Sequence, residues 1–320
     1  MKKNITFALT FLALTAVPFF AQAAQIYLDP ATGKYPPGVT FGVDVRLDTQ
    51  NQCINAAEVD LAYPANLLQA VAASDGDSIF SLWVKPPTIY ANYGVVSFVG
   101  GLPGGYCGRV AGDPSLSNKL ATIYFRFPTS TTASTGTPPQ TAQLSFLTGT
   151  NAVVNDGQGT SAALTTAGAK YTQLLTGKFA PLNVWQNAIQ NDATPPEAFT
   201  IGVYRDTSLF DDQWFAVFST VDKQTGIDHY EVAEVPAQSV NTPQNQWNWT
   251  RAVSPYLIKD QNSKGVIAVR AIDQAGNARV EEYTMPQTSQ PASPSMWFIP
   301  YLAIVSIVGF TLVQLIIKIF

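Results

Sequence analysis

Charge, histidine and cysteine are all scarce in this sequence, and each shortage closes off a class of chemistry. Charged residues make up 12% of the 320, and His229 is the single histidine. One imidazole excludes His-rich zinc sites and leaves one conceivable His-based triad, for which the chain offers no nucleophile in a strand-to-helix elbow. HExxH, GxSxG, SxxK and Walker patterns are missing. His229 lies in "GIDHYEV" and reads as a structural or surface residue. Glycoside hydrolysis needs only two carboxyl groups at a suitable separation. Asp75 with Asp77, and Asp211 with Asp212, are the candidates, but acids in turn-like sequence are ordinarily solvated or hydrogen-bonded locally. A polysaccharide-degrading enzyme is the reading the sequence supports least, and no catalytic residue is assigned.

The two ends differ from the rest. Residues 1–23 carry Lys2 and Lys3, an apolar run, and Ala21-Gln22-Ala23, the small-x-small pattern of a signal-peptidase site. Residues 296–318 hold no charge from Met296 to Ile317, enough to cross roughly 30 Å of hydrocarbon as a helix. Trp297 and Tyr301 would mark the outer interface and Lys318 the inner one. The expectation is a single-pass envelope protein with an extracytoplasmic ectodomain and a short cytoplasmic C-terminus. Setting aside Lys2, Lys3 and Lys318 leaves 15 of the 18 basic residues against 22 acidic ones, a formal charge of about −7. That balance argues against nucleic acid as a partner. The absence of a polybasic cluster beside the apolar run argues against specific recruitment of anionic lipid.

Between the ends, period-2 alternation outweighs helical spacing, and Gly, Pro, Asn and Asp cluster between short runs, so the ectodomain is expected to be all-β. In "AAEVDLAY" the residues Ala57, Val59, Leu61 and Tyr63 share one face, and Glu58, Asp60 and Ala62 the other. Further strands are expected over 39–47, 94–100, 119–127 and 142–147. The tract 128–140 is too polar to bury and reads as an exposed loop, a possible site of glycosylation. A first sandwich over 24–173 and a linker over 174–197 follow. A second unit over 198–286 offers five strand-like runs in about 90 residues, the scale of an immunoglobulin-like sandwich. Trp247 and Trp249 would share one face of its "WNWTRAV" strand, as a core plug or a sugar-stacking platform. Residues 287–295 form a Pro-rich stalk.

The order "YPPGVTFGVDVRLDT", "INAAEVDLAYPANLLQAV", "GVVSFVG", "NKLATIYFRF" and "VVNDGQGT" resembles the cohesin family across roughly residues 25–173. The resemblance implies a jelly-roll β-sandwich similar to carbohydrate-binding modules, and a calcium-loaded dockerin-like module as partner. Ala56 and Glu58 stand where dockerin-binding cohesins present Asn and Asp, and the following turn reads Tyr63-Pro64 without their Asp. The second unit, with "STVDKQTGIDHYEV" and "VIAVRAIDQAGN", resembles bacterial Ig-like or fibronectin type III repeats.

A cell-surface binding protein is the reading that results, with two ligand classes open. Glu58 and Asp60 on a flat outward strand face would suit a protein partner. Trp83, Tyr90, Tyr93 and Tyr106, grouped around loops, would suit an extracellular glycan if their rings were exposed in a row. A structural or adhesive envelope component that self-associates is the alternative. No cofactor is required and no metal ligand assigned; "SDGDS" and "VNDGQGT" are far from an EF-hand loop, though their oxygens admit calcium. Cys53 and Cys107 are an even pair in an exported chain, so a disulfide is expected.

Overall fold

The computed structural model describes residues 23–108, 118–129, 139–174, 182–262 and 264–285. Nearly all of the expected signal peptide, the stalk, the apolar segment 296–318 and most of the tract 128–140 lie outside the described residues. Among the described residues no helix is long and apolar enough to cross a membrane.

The first unit is two facing sheets. Strands β1 (Ala24–Asp29), β3 (Thr40–Asp48), β5 (Gln69–Ser74), β8 (Lys119–Arg126) and β11 (Leu164–Ala167) pair in the order β11-β1-β3-β8-β5. Strands β2 (Thr32–Tyr35), β4 (Ile54–Ala62), β6 (Leu82–Tyr90), β7 (Val95–Tyr106), β9 (Thr141–Phe146) and β12 (Ala169–Gln173) pair in the order β2-β12-β9-β4-β7-β6, and β10 (Asn151–Val154) adds to β4. All five runs expected as strands form. Alternation decides what each sheet buries: Val59 and Leu61 of β4, Val96 and Phe98 of β7, and Val43 and Val45 of β3 are fully enclosed. Each such side chain stabilises the fold by about 1.5–3 kcal/mol. Tyr35 stacks on Phe41 at 3.7 Å, and Tyr171 meets Phe41 at 5.2 Å, closing one end of this core.

Strand β6 was not expected, because Pro86 and Pro87 interrupt it. It forms because it lies at the edge of its sheet, where a missing N–H leaves no ladder bond broken. The segment expected as a plain linker also holds a short helix, α1 (Val184–Asn191), capped by Asn183 Oδ1, which accepts from Gln186 N at 3.1 Å. The helix is docked on the first sandwich: Trp185 packs on Tyr124 at 4.8 Å, and Thr40 N donates to Leu182 O at 2.8 Å.

The second unit splits seven strands into sheets of three and four. β13 (Gly202–Asp206), β14 (Leu209–Val217) and β17 (Tyr256–Leu257) form one, in the order β13-β14-β17. β16 (Thr250–Ala252), β15 (Ile227–Val235), β18 (Val266–Asp273) and β19 (Ala278–Thr284) form the other, in that order. Val203, Ala216, Phe218, Val232, Ile267 and Val269 fill the space between them. Trp247 and Trp249 are not strand residues as expected, since β16 begins only at Thr250. They precede it with ring centroids 5.8 Å apart, packed on a separate small cluster of Ala233, Val235, Val266 and Ala268. Their indole N–H groups explain the position: Trp247 donates to Thr242 Oγ1 and Trp249 to Gln244 O, partners that this loop supplies.

Cys53 and Cys107 are bonded to each other. They flank the Ile54–Tyr106 pair of β4 and β7, so the bridge closes the end of that ladder. The bridge spans 54 residues, and a loop of that size gives about 4 kcal/mol of stabilisation in the chain-entropy model. Reduction, or the double change Cys53→Ser with Cys107→Ser, is expected to lower the free energy of chemical unfolding by up to that amount. An unchanged unfolding midpoint would show that the ladder holds without the bridge.

Candidate binding face

The outer face of the seven-stranded sheet collects the acids read from the sequence. Residues opposite one another in an antiparallel ladder share a face, and the register here makes rows. Asn151, Glu58 and Val99 lie side by side on β10, β4 and β7, with Lys85 beyond them on β6. Asp60, Ser97 and Thr88 form the next row, and Ser145, Ala62, Val95 and Tyr90 the one after. On the far side, Gln143 pairs Lys170 and Thr141 pairs Thr172. Apart from Ala62 and the two valines, these rows are polar; Ala56, the next β4 residue on this face, pairs with Val153 and Gly101.

Glu58 and Asp60 are half-buried rather than fully exposed. The turn after β9 partly roofs Asp60: Leu147 N donates to Asp60 O at 2.8 Å, and Asp60 N donates to Thr150 Oγ1 at 3.1 Å. A Cβ on Gly149 would stand 2.6 Å from Asp60 Oδ2, so the carboxylate in this position lies close against the turn's glycine. Burial pushes the Glu58 carboxyl up from its ordinary value; the neighbouring Asp60 charge adds to the rise and Lys85 opposes it. Lys85 Nζ donates to Ser97 Oγ at 2.7 Å and lies over the Tyr90 ring at 5.0 Å. The result is two carboxylates on β4 and an ammonium on β6, held on either side of β7, a preorganised set of charged hydrogen-bonding groups.

The aromatic residues do not assemble into a platform. Trp83 and Tyr90, expected around loops, both belong to β6 and occupy opposite faces. Trp83 pairs Gly100, whose missing side chain makes room for its ring: a Cβ there would be 2.8 Å from Trp83 Cε3. The indole packs edge-on to Phe80 at 5.7 Å and Phe98 at 6.0 Å, inside the sandwich. Tyr106 pairs with the buried Ile54, and its hydroxyl is enclosed without a hydrogen-bond partner among the described residues. Tyr90 sits on the outer face, 39% exposed, and Tyr93 stands in a separate turn, 82% exposed. A row of four open rings is therefore not formed.

The remaining sequence candidates lie apart from this face. His229, in β15 of the second unit, contacts Asp228 at 2.5 Å and Glu231 at 3.7 Å. Asp212 pairs with Arg205 at 2.9 Å, and Asp211 beside it is exposed. Asp75 and Asp77 are not a solvated pair: Asp77 is exposed, but Asp75 is buried, because the second unit covers it. Asp156, of "VNDGQGT", is exposed and bonds its own turn through Gln158 N at 2.8 Å.

A group the sequence did not single out is Asp192, Asp222 and Asp273, buried, with carboxylate oxygens within 4.8 Å of one another. That spacing would suit a cation. Each carboxylate already accepts three hydrogen bonds, however: from Thr194 N, Thr225 N and Thr225 Oγ1 to Asp192; from Gln224, Thr225 and Gly226 N, all to Oδ1 of Asp222; and from Ala275 N, Asn277 N and Asn277 Nδ2 to Asp273. This is the solvation of structural carboxylates that organise three turns. "IDQAGN" was legible as a turn; its convergence with Asp192 and Asp222 was not.

No protein-family model matches the chain, and no curated protein matches it. Among solved structures, the chain is similar to cohesin domains. One is from a type I cohesin–dockerin complex of Clostridium thermocellum, at 12% identity, covering 47% of this chain and 93% of that one with a TM-score of 0.39. The sixth cohesin of Acetivibrio cellulolyticus scaffoldin B, solved with a Cel5 dockerin, is 15% identical, covering 48% and 100% with a TM-score of 0.37. The seventh ScaB type I cohesin of Pseudobacteroides cellulosolvens is 16% identical, covering 49% and 96% with a TM-score of 0.35.

Proposed function

We propose that the first sandwich is a protein-recognition module that binds its partner on the outer face of the seven-stranded sheet. The observation that carries this reading is the placement of Glu58 and Asp60 on β4 and Lys85 on β6, the two strands that flank β7 in one ladder, while Trp83 and Tyr106 turn inward. Such a face offers charge and hydrogen-bond complementarity with little conformational entropy left to lose, which favours a folded protein surface over a sugar chain. A dockerin-like module is the partner class, on the ground of the cohesin resemblance in the sequence. The second unit, an immunoglobulin-like spacer, displays the module at the cell envelope, and the apolar segment 296–318 is its anchor. Binding, not catalysis, is the activity.

The test is a pull-down and a glycan array with the full-length protein side by side. A protein ligand whose affinity falls at least about tenfold with Glu58→Lys plus Asp60→Lys, the loss of about 1.4 kcal/mol expected for one charged contact reversed, supports the reading. Array binding with no protein ligand would replace it with the glycan reading. Self-association lost with the same changes would replace it with the adhesive one.

Glu58 also carries a cost to stability that separates recognition from folding. Its raised pKa means that the folded state holds the Glu58 proton more tightly than the unfolded chain does, so this residue's contribution to stability falls as pH rises from the ordinary glutamate range through its raised value. Glu58→Gln is therefore expected to raise Tm at pH 7.5 and to leave it nearly unchanged at pH 4, while weakening partner binding. Calorimetry at both pH values checks this, and a lower Tm at pH 7.5 would show that the ionised carboxylate is a structural group.

A further inference from the structure

The two sandwiches meet through closely fitted loops. Ser74 Oγ donates to Thr225 O at 2.6 Å, Gln274 Nε2 to Ala73 O at 3.1 Å, and Ser219 Oγ to Ser81 O. At the centre, Ile227 N of the second unit donates to Asp75 Oδ1 of the first at 2.8 Å. The fit leaves no room for side chains: a Cβ on Gly76 would come within 2.3 Å of Gln224 O, and one on Gly226 within 2.0 Å of Asp75 Oδ1. Gly226 also has φ +84°, a left-handed conformation that favours glycine.

Asp75 is 8% exposed at this contact. The ionisable groups that face it are Asp222, from the Thr220–Gly226 loop, and the phenol of Tyr230, on β15. Asp192 and Asp273 stand behind Asp222. Asp77, two residues on, pairs outward with Lys119 at 3.6 Å, and that lysine also reaches Asp44 at 3.9 Å. None of the ion pairs among the described residues involves Asp75, Asp192, Asp222 or Asp273. The contrast is Arg46, a buried cation in the first sandwich neutralised by Asp44 at 2.5 Å and Asp29 at 3.1 Å.

We propose that the junction between the sandwiches is a proton-dependent latch, closed while Asp75 is protonated and loosened when it ionises. A neutral carboxyl accepts the Ile227 N–H without a charge to solvate. A carboxylate in the same place is a buried anion facing other acids, with no cation to offset its desolvation. Burial, and to a lesser degree the Asp222 charge, raises the Asp75 pKa from 3.8 to about 7 despite the Ile227 hydrogen bond, which pulls the other way. In the parted state Asp75 returns to water and to the ordinary carboxylate range. Docking then takes up a proton: it is strongest at or below about pH 4, weakens by up to about tenfold per pH unit between about 4 and 7, and levels off above. The consequence is control over how rigidly the second unit holds the binding face.

Hydrogen exchange of the full-length protein, read at the Ile227 amide, which donates across the junction to Asp75, and corrected for intrinsic rates, tests the latch. Protection is expected to fall by up to roughly 30-fold from pH 5.5 to pH 8.5. Asp75→Asn keeps the acceptor oxygen but cannot ionise, so its protection is expected to be the same at both pH values. Ser74→Ala removes a junction bond without a titrating group and is expected to lower protection by one factor at both. Wild-type protection that does not change with pH, or a slope that persists in Asp75→Asn, overturns the proposal. Should Asp75→Asn fail to fold, carbon NMR of the wild-type Asp75 carboxyl decides: a midpoint near 7 supports the latch, and one below 5 overturns it.

Discussion

The ladder between β4 and β7 is the constraint on which the first sandwich depends. A strand has two faces, and a slip of one residue exchanges them. The register Glu58 with Val99, Asp60 with Ser97 and Leu61 with Val96 sends Val59, Leu61, Val96 and Phe98 into the core and the two acids out. Several features pin that register. The disulfide closes one end beyond Ile54 and Tyr106. Gly100 admits Trp83 from β6 and no larger residue would, so the edge strand too has one place to sit. The same contacts that hold the core therefore aim the candidate binding residues.

That coupling explains why the face can be charged at all. An acid at a half-buried position of a central strand costs stability, as the raised pKa of Glu58 shows. A sheet whose inner face is densely packed tolerates the cost, and a rigid scaffold makes the charges useful, since they need not be ordered when a partner arrives. A surface built only for solubility would place its charges at the strand ends and edges, where they are fully hydrated. Glu58 and Asp60 instead occupy the middle of the sheet, roofed on one side by the Leu147–Thr150 turn.

Much of this was legible in the sequence, because alternation is a local signal. The facing of β4, the all-β class and the pairing of Cys53 with Cys107 could be read without any tertiary knowledge. What could not be read depended on neighbours. Pro86 and Pro87 hid β6, since only an edge position makes them tolerable there. With that strand hidden, so was the facing of Trp83 and Tyr90: their odd separation of seven residues puts them on opposite faces, and the two register shifts of β6 against β7, between Trp83 and Lys85 and again before Thr88, cancel and leave that facing unchanged. Helix α1 is short, and its one aromatic anchor, Trp185, finds Tyr124 from a distant strand. Asp75 stands in a sequence that looks like a solvated turn and is buried only because a second unit lies over it.

The junction changes what the segment after the first sandwich means. The linker expected over 174–197 suggested a tether, and a tether would leave the two units free to reorient. Instead α1 is fixed to the first sandwich, and the residues that follow are bonded into the second: Asp192 to Thr225, Glu197 N to Val221 O, and Arg279 Nε to Pro196 O. The strap and the Asp75 contact lie on the same side of the second unit, through the shared Asp222–Gly226 loop. A hinge at either point alone would be blocked by the other. Relative motion of the two units therefore requires the loop contacts to release first, and these are the contacts that include a buried carboxyl with no counter-ion among the described residues. The part of the chain that composition marks as flexible is thus bound at both ends, and mobility is governed at a site that composition does not mark.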